Sequence, residues 1–568
     1  MHVADLAISL AEARSPAGEG VPTLGGRRDP YAAWLAGRRT IKRFAFAIAL
    51  AELELRSRRG LPAAMCIESD ALRAMHSLRS GICAAKPPAA LRLQTTHPRE
   101  SCLMDHSRFK MKSLWAAVAI VLSTAYPGFA NEKDHHVVVV SIDGLASFLL
   151  DDPRAPLPTI RELARTGSYA EQGMTVSNPS VTWPNHTSLI SGVRPEKHGV
   201  LANGVLVRGA IGSLVTVDPK RDQHELVRVP TIIEAAHAAG LRTAEINWPC
   251  VRGSKSLDDS FPDVPDAVLH MTPRLRAEMV AKGLLADEKQ ASFMANSAPG
   301  RDLIWTEAAC HVIRERKPHL MLVHLLNVDA THHALGAQSP GGYTANAYAD
   351  MCLSRIIDAI DEAGIRDQTT LFIVADHGFA LTPKAMRPNV LLRQKGLLSA
   401  TAGKIGDARV HVFPEGGIGL IYCTNPGEAE PLRQQVTELF SGQEGVEEVL
   451  LPGAFSKYGL PHPREYEQAP DAILVAKDGY SVSASAEGET FITSNTEAKT
   501  SLGSHGFISS FDKMNALCVI SGKGIRAGGK LHDVENIDVA PTIARLLAIK
   551  DFPADGKPLA EAMTPKVQ

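Results

Sequence analysis

Excess charge of either sign is missing from this sequence. Lysine and arginine number 60 against 62 aspartates and glutamates, for a formal net charge of -2. That removes the general electrostatic case for binding a nucleic-acid polymer. Long hydrophobic runs are missing too. The apolar stretch from about Leu114 to Leu122 falls short of the roughly 20 residues a membrane span needs. Cysteine is sparse, and no CxxC spacing occurs. Beyond residue 131 the cysteines are Cys250, Cys310, Cys352, Cys423 and Cys518, an odd number that cannot all pair within one chain. They read mostly as small buried apolar residues. No internal repeat or low-complexity tract stands out after residue 131.

What is present divides into two parts. The first hundred or so residues carry arginine clusters (Arg27-Arg28, Arg38-Arg39, and Arg56, Arg58 and Arg59) and many alanines. Then Arg108, Lys110 and Lys112 precede the short apolar stretch, and Gly128 and Ala130 follow it. Basic head, apolar middle and small residues before a cut are the layout of an export signal. A signal belongs at an N-terminus, so we expect translation to start at Met104 or Met111. On that reading residues 1–110 are a mis-assigned or unstructured extension, 111–130 the signal and 131–568 the functional domain. The location expected is periplasmic or secreted, with no membrane anchor after cleavage.

From about His135 the chain alternates strands and helices. "HVVVVSI", "LRTAEINW", "HLMLVHLLNV", "TTLFIVA" and "NALCVIS" read as buried strands. "LPTIRELARTG", "TIIEAAHAAG", "NAYADMCLSRIIDAIDEAG" and "IDVAPTIARLLAI" read as helices. The alternation predicts an α/β fold with a mostly parallel central sheet flanked by helices. A less regular region of shorter strands, about 381–499, reads as a smaller inserted lobe.

In an open α/β sheet ligands bind beyond the carboxyl ends of the strands. Three strands bring an aspartate there: Asp143, Asp329 and Asp376. One alone would pass as a cap or turn residue; three together are hard to explain that way. Histidines gather beside them. His333 lies four residues after Asp329, on the same face of a helical turn, and His332 lies three after it. His377 adjoins Asp376, and "LGSHGF" sets His505 in a glycine-flanked loop. Carboxylates with imidazoles are a ligand set for zinc or a similar divalent ion. Three of each suffice for two ions, an arrangement suited to phosphoryl transfer. In "SNPSVTWPNHTSLISG", Pro184 suits a first helical turn and Gly192 ends the helix. Thr182 then stands at the helix N-terminus, where backbone N–H groups and the dipole favour a phosphate. Beside the aspartates, Thr182 reads as a nucleophile activated by metal rather than a simple cap.

These residues resemble the nucleotide pyrophosphatase/phosphodiesterase family of the alkaline phosphatase superfamily. "VVSIDG", "TWPNHTSLISGVRPEKHGVLAN", "NVDATHHALG", "ADHG" and "GSHGF" occur in the family's order over roughly three-quarters of the chain. The resemblance implies an alkaline-phosphatase-like fold and two zinc ions. One would be held by Asp329, His333 and His505, the other by Asp143, Asp376 and His377 with Thr182. It also implies a double displacement through a covalent phosphothreonine. Asn203 matches an asparagine that binds a non-bridging phosphate oxygen. An aromatic residue near the nucleophile often stacks on a nucleobase in this family, which nominates Trp183. The family often has Gly before the second-motif histidine; here His332 stands there, leaving either His332 or His333 as the ligand, with His333 preferred.

A neutral Asn203 suits the single charge of a diester, whereas a monoester favours an arginine. The substrate expected is a small phosphodiester or nucleotide-like molecule. Phosphonoacetate hydrolase resembles the same metal motifs, and a phosphomonoesterase is a further alternative. A sulfatase is disfavoured because no Cys-x-Pro-x-Arg run supplies its nucleophile. An exported binding protein with a decayed site is the rival of another class. Loops around residues 204–300 and the smaller lobe are expected to select the substrate; Trp248 reads as a wall of that pocket or as core.

Overall fold

The computed structural model describes residues 135–496 and 501–565. The expected N-terminal extension and export signal lie outside them. Twelve strands organise these residues: β1 (His136–Ile142), β2 (Ser168–Ala170), β3 (Thr243–Pro249), β4 (Asp259–Asp263), β5 (Leu320–Leu325), β6 (Thr369–Val374), β7 (Val410–Glu415), β8 (Ile418–Cys423), β9 (Val446–Leu450), β10 (Ala472–Ala476), β11 (Cys518–Gly522) and β12 (Gly529–Leu531). Eight form the main sheet in the order β12-β2-β11-β6-β1-β5-β3-β4. The run from β6 to β4 is parallel throughout, and β11 alone runs antiparallel, between β6 and β2. The fold is therefore α/β with a mostly parallel central sheet, as expected.

The β-branched run of β1 explains its central position. All seven of its residues are buried, and a strand covered on both faces has no polar side to offer water. Helices supply the cover in two groups. α1 (Pro158–Thr166) and α4 (Ala298–Arg316) pack against α6 (Pro340–Glu362), with α5 (Asn327–Leu335) beside them. α2 (Thr182–Ser191), α3 (Ile232–Ala238) and α7 (Val539–Leu546) pack on one another, and α2 and α3 touch β3.

One boundary differs from the expected one. The strand read through "HLMLVHLLNV" stops at Leu325, and Asp329 lies on α5. The buried Asp302 carboxylate accepts the N–H groups of Leu326 (2.9 Å) and Asn327 (3.0 Å). Those donors are lost to the sheet ladder, and the chain turns into a helix that carries Asp329 and His333 on one face.

After β6 the chain leaves the main sheet and returns with β11. Between them it builds a second, antiparallel sheet, β7-β8-β10-β9. Strands β7 and β8 are joined by Gly416-Gly417, with Gly416 at a φ of +75°. Only glycine fits at these two positions. A Cβ on Gly416 would lie 2.1 Å from the His505 carbonyl oxygen, and one on Gly417 would lie 2.2 Å from the Phe507 ring. The hairpin is thus pressed against the loop that carries His505, and the Gly417 N–H donates to the His505 carbonyl (2.8 Å).

All five cysteines beyond residue 131 are buried and free. No helix among the described residues is long and apolar enough to cross a membrane.

Candidate active site and metal centre

At the carboxyl ends of β1, β5 and β6 the three aspartates and three histidines meet. Asp329 Oδ1 lies 3.4 Å from His333 Nε2 and 3.7 Å from His505 Nε2. His377 Nε2 lies 3.4 Å from Asp143 Oδ1 and 3.3 Å from Asp376 Oδ2. Asp329 also comes within reach of Asp143 and His377, so it adjoins both groups. The His377 and His505 rings stack at 3.7 Å. Of the adjacent histidines, His333 faces the cluster; His332 is fully buried with its ring edge-on to Phe379.

Each clustered imidazole is oriented from behind. Nδ1 of His333 is 3.0 Å from the Gly503 carbonyl, Nδ1 of His377 is 3.1 Å from that of Gly378, and Nδ1 of His505 is 2.9 Å from that of Ser180. A carbonyl only accepts, so Nδ1 holds the proton and the Nε2 lone pair turns to the centre. The aspartates are steadied as well. Gly144, left-handed at a φ of +67°, donates its N–H to Asp376 Oδ1 (3.1 Å), and a Cβ there would meet the Phe379 ring at 2.9 Å.

Electrostatics follow from burial and crowding. Burial, with Asp376 and Asp329 alongside, pushes the Asp143 carboxyl well above the ordinary carboxylate range. Burial raises Asp329 to about 6, with His333 pulling it down. Burial holds His377 at about 3 and sets His505 well below an ordinary histidine. Asp143 Oδ1, Asp329 Oδ1, Asp376 Oδ2 and His377 Nε2 are buried and have no hydrogen-bond partner among the described residues. Leaving such atoms unpaired is costly. A divalent cation fits them, since carboxylate oxygens and imidazole nitrogens are its donors.

Thr182 begins α2, after Val181 in the extended cap position. Its hydroxyl makes no hydrogen bond among the described residues, so the simple cap reading does not apply. His186, one turn on, donates Nδ1–H to the Thr182 carbonyl (2.9 Å) and lies 3.6 Å from Asp376 Oδ2, which ties this helix to the cluster. Gly192 ends α2 at a φ of +71°, its N–H on the Ser188 carbonyl. The helix N-terminus is poorer in free donors than its sequence suggests. Pro184 has no N–H, and the Trp183 N–H is taken by Asn203 Oδ1 (2.9 Å). The Thr182 N–H is left. Asn203 is exposed, and with its oxygen engaged it presents an NH₂ group.

Two tryptophans were expected near the substrate. Trp183 is only 5% exposed and packs with Val200, Leu226, Val227 and Cys250, its Nε1 donating to Asp263 Oδ2 (3.1 Å). An indole enclosed in this way forms a wall of the apolar cluster next to Thr182. Trp248 is fully buried, edge-on to His186, and belongs to the core.

Sequence reasoning missed three residues around the centre. His324 Nε2 is 3.0 Å from Asp143 Oδ2; its signal was a single polar residue inside an apolar strand. Asp263 ends β4 beside Trp183. Asp302 shapes the β5–α5 turn from within α4, and no local pattern marks it.

A family model described as type I phosphodiesterase / nucleotide pyrophosphatase matches residues 137–508. Among curated proteins the chain is similar to human ectonucleotide pyrophosphatase/phosphodiesterase family member 1, 21% identical over 427 residues that cover 74% of this chain and 40% of that protein. It is similar also to an uncharacterised pyrophosphatase/phosphodiesterase of Schizosaccharomyces pombe, 22% identical over 78% of this chain and 82% of that one. The chain thus spans 40% of the human relative's length. Among solved structures it resembles murine ectonucleotide pyrophosphatase/phosphodiesterase 5, determined as an inactive variant in complex with AMP, with a TM-score of 0.54 at 17% identity, covering 74% of this chain and 97% of that one. The human counterpart superposes with a TM-score of 0.56 at 17% identity over 74% of this chain and 97% of its own. The solved structures share the fold, and the family model spans more than half of the sequence, so the chain belongs to the type I phosphodiesterase / nucleotide pyrophosphatase family.

Proposed function

We propose that this protein hydrolyses phosphodiester or phosphoanhydride bonds in small nucleotide-like molecules, through a covalent phosphothreonine at Thr182. The observation that carries the reading is the meeting of Asp143, Asp376 and His377 with the first turn of α2, through His186.

On this reading Asp329, His333 and His505 hold one zinc ion, and Asp143, Asp376 and His377 hold the other, with Thr182 beside it. Bound divalent ions supply charge neutralisation for the phosphoryl group and ease ionisation of the threonine hydroxyl. The chain's own residues do the rest. The Thr182 oxygen attacks phosphorus, and the P–O bond to the leaving group breaks. The Thr182 N–H, the α2 dipole and the Asn203 NH₂ group hold the non-bridging oxygens. Water then cleaves the threonine–phosphate ester and restores the hydroxyl. A neutral Asn203 suits a singly charged diester. The loops around residues 204–300 and the lobe of residues 381–499 select among diesters. Export to the periplasm or medium, with cleavage near Asn131, completes the reading; N-terminal sequencing of the natural product tests it.

The deciding experiment compares zinc-loaded protein on a nitrophenyl diester of thymidine phosphate, on nitrophenyl phosphate and on phosphonoacetate. Preference for the diester is expected. Preference for the monoester or phosphonate would overturn the substrate assignment and keep the metal centre. Background rates on all three, with no zinc in the purified protein, would favour a binding protein with a decayed site.

A further inference from the structure

We propose that His324 is a positioning residue for Asp143, holding one carboxylate oxygen so that the other is aimed at the cation. The inference rests on the metal reading above and concerns a residue that lies outside its ligand set.

His324 sits in β5 among Met321, Leu322, Val323 and Leu325, all buried. Its neighbours in the parallel ladder are Ser141 of β1 and, one position earlier, the Val323–Ile246 pair that joins β5 to β3. The imidazole is fully buried. Burying a polar ring in an apolar strand is unfavourable unless its nitrogens are bonded. Both are. Each nitrogen meets an oxygen that only accepts, so the ring carries both protons: Nδ1–H donates to the Asn247 carbonyl at 2.9 Å, and Nε2–H donates to Asp143 Oδ2 at 3.0 Å. The His186 ring packs against the imidazole, tilted by 54°, with ring centroids 4.4 Å apart.

The Asn247 carbonyl is itself held in place for this contact. Asn247 adopts a left-handed φ of +61° where β3 departs from regular pairing between Ile246 and Pro249. Non-glycine residues are uncommon in that region, and asparagine tolerates it best. Its side chain then donates Nδ2–H to the His324 carbonyl at 3.2 Å. Asn247 and His324 therefore grip each other twice, and the ring has no freedom to swing.

The consequence falls on Asp143. Oδ2 is engaged by His324, whereas Oδ1 has no hydrogen-bond partner and stands 3.4 Å from His377 Nε2. A carboxylate pinned by one oxygen has a single direction for the other. Groups behind a ligand that fix its orientation commonly matter about as much as the ligands themselves. A leucine at 324 would fill β5 without the desolvation cost, so packing alone does not account for a histidine there.

The test is a zinc titration of metal-free protein against a chromophoric chelator, for wild type, H324M and H324Q. Methionine fills the space and cannot donate; the glutamine amide can reach Asp143. In H324M one of the two zinc ions should bind ~10–100-fold more weakly while the other keeps its affinity. H324Q should recover most of the loss. Equal affinities in wild type and folded H324M would overturn the assignment, as would equal weakening of both ions, which signals a merely structural role. Should H324M fail to fold by circular dichroism, H324Q and H324N carry the test. The shorter asparagine cannot reach Asp143, so the two should differ, and equal affinities refute the proposal. A wild-type protein that takes up no zinc refutes the metal centre itself, a distinguishable failure.

Discussion

Thr182 is chemically inert until something lowers the cost of its ionisation, so its substitution separates chemistry from assembly. Thr182→Ala removes the oxygen proposed to attack phosphorus and leaves every imidazole and carboxylate of the cluster in place. We expect turnover of a nitrophenyl diester to fall by ~10³-fold or more, with zinc content by elemental analysis close to that of wild type. A near-normal rate would eliminate the phosphothreonine. Asp329 yields a second prediction, through pH. Its carboxyl is raised to about 6, and protons compete with a cation for the same oxygen. The imidazole of His377, at about 3, does not compete in that range. Zinc affinity should fall as pH is lowered through 6, with Asp143, whose carboxyl is also raised, adding to the loss, read by chelator competition at a series of pH values. An affinity that is unchanged between pH 5 and 8 would contradict the placement of Asp329 at the centre.

At the scale of elements, the site depends on where strands stop and how loops are held. Asp302 ends β5 by taking the N–H groups of Leu326 and Asn327. Asp302→Ala leaves both without an acceptor, at ~1–3 kcal/mol each. A loss of about 2–6 kcal/mol in urea denaturation is expected, together with weaker zinc binding, since α5 carries Asp329 and His333. The His505 loop is as closely fitted. Gly506 has a φ of +79°, and a Cβ on it would fall 1.7 Å from the Glu415 carbonyl oxygen. Gly506→Ala should therefore destabilise by more than ~1 kcal/mol and displace His505, measurable as a drop in the melting temperature and in zinc stoichiometry. Wild-type behaviour would mean that the hairpin of the second sheet gives way without cost.

For the whole molecule, the centre is where distant parts of the chain are fastened together. Asp143 comes from β1, Asp329 and His333 from α5, His377 from the end of β6, and His505 from a loop pressed on the second sheet. A cation bridging them binds the folded state and not the unfolded one. On the proposed two-zinc reading, free zinc a hundredfold above the dissociation constant adds ~2.7 kcal/mol per site. Removing zinc with a chelator should lower the melting temperature by several degrees, and zinc should restore it while magnesium restores it less. A melting temperature indifferent to chelator would argue against any such clasp.

Local chemistry was legible in the one-dimensional text because its causes are local. The β-branched run of β1, the four-residue spacing of Asp329 and His333, and Gly192 after α2 each act over a few residues, and each is found as expected. The convergence of the three aspartates was legible too, because parallel strands deliver their carboxyl ends, and the turns that follow them, to one edge. What the text could not show lies in contacts between residues far apart in the chain. Asp302 stops a strand 24 residues away, His324 meets Asp143 across 181, and His505 rests on Ser180 across 325. Trp183 is enclosed by side chains from three later segments. The sequence by itself determined the fold class and the donor types. Tertiary packing decided which strand ends early, which indole is closed off and which oxygen of Asp143 is left for a cation, because each depends on atoms that only folding brings within hydrogen-bond range.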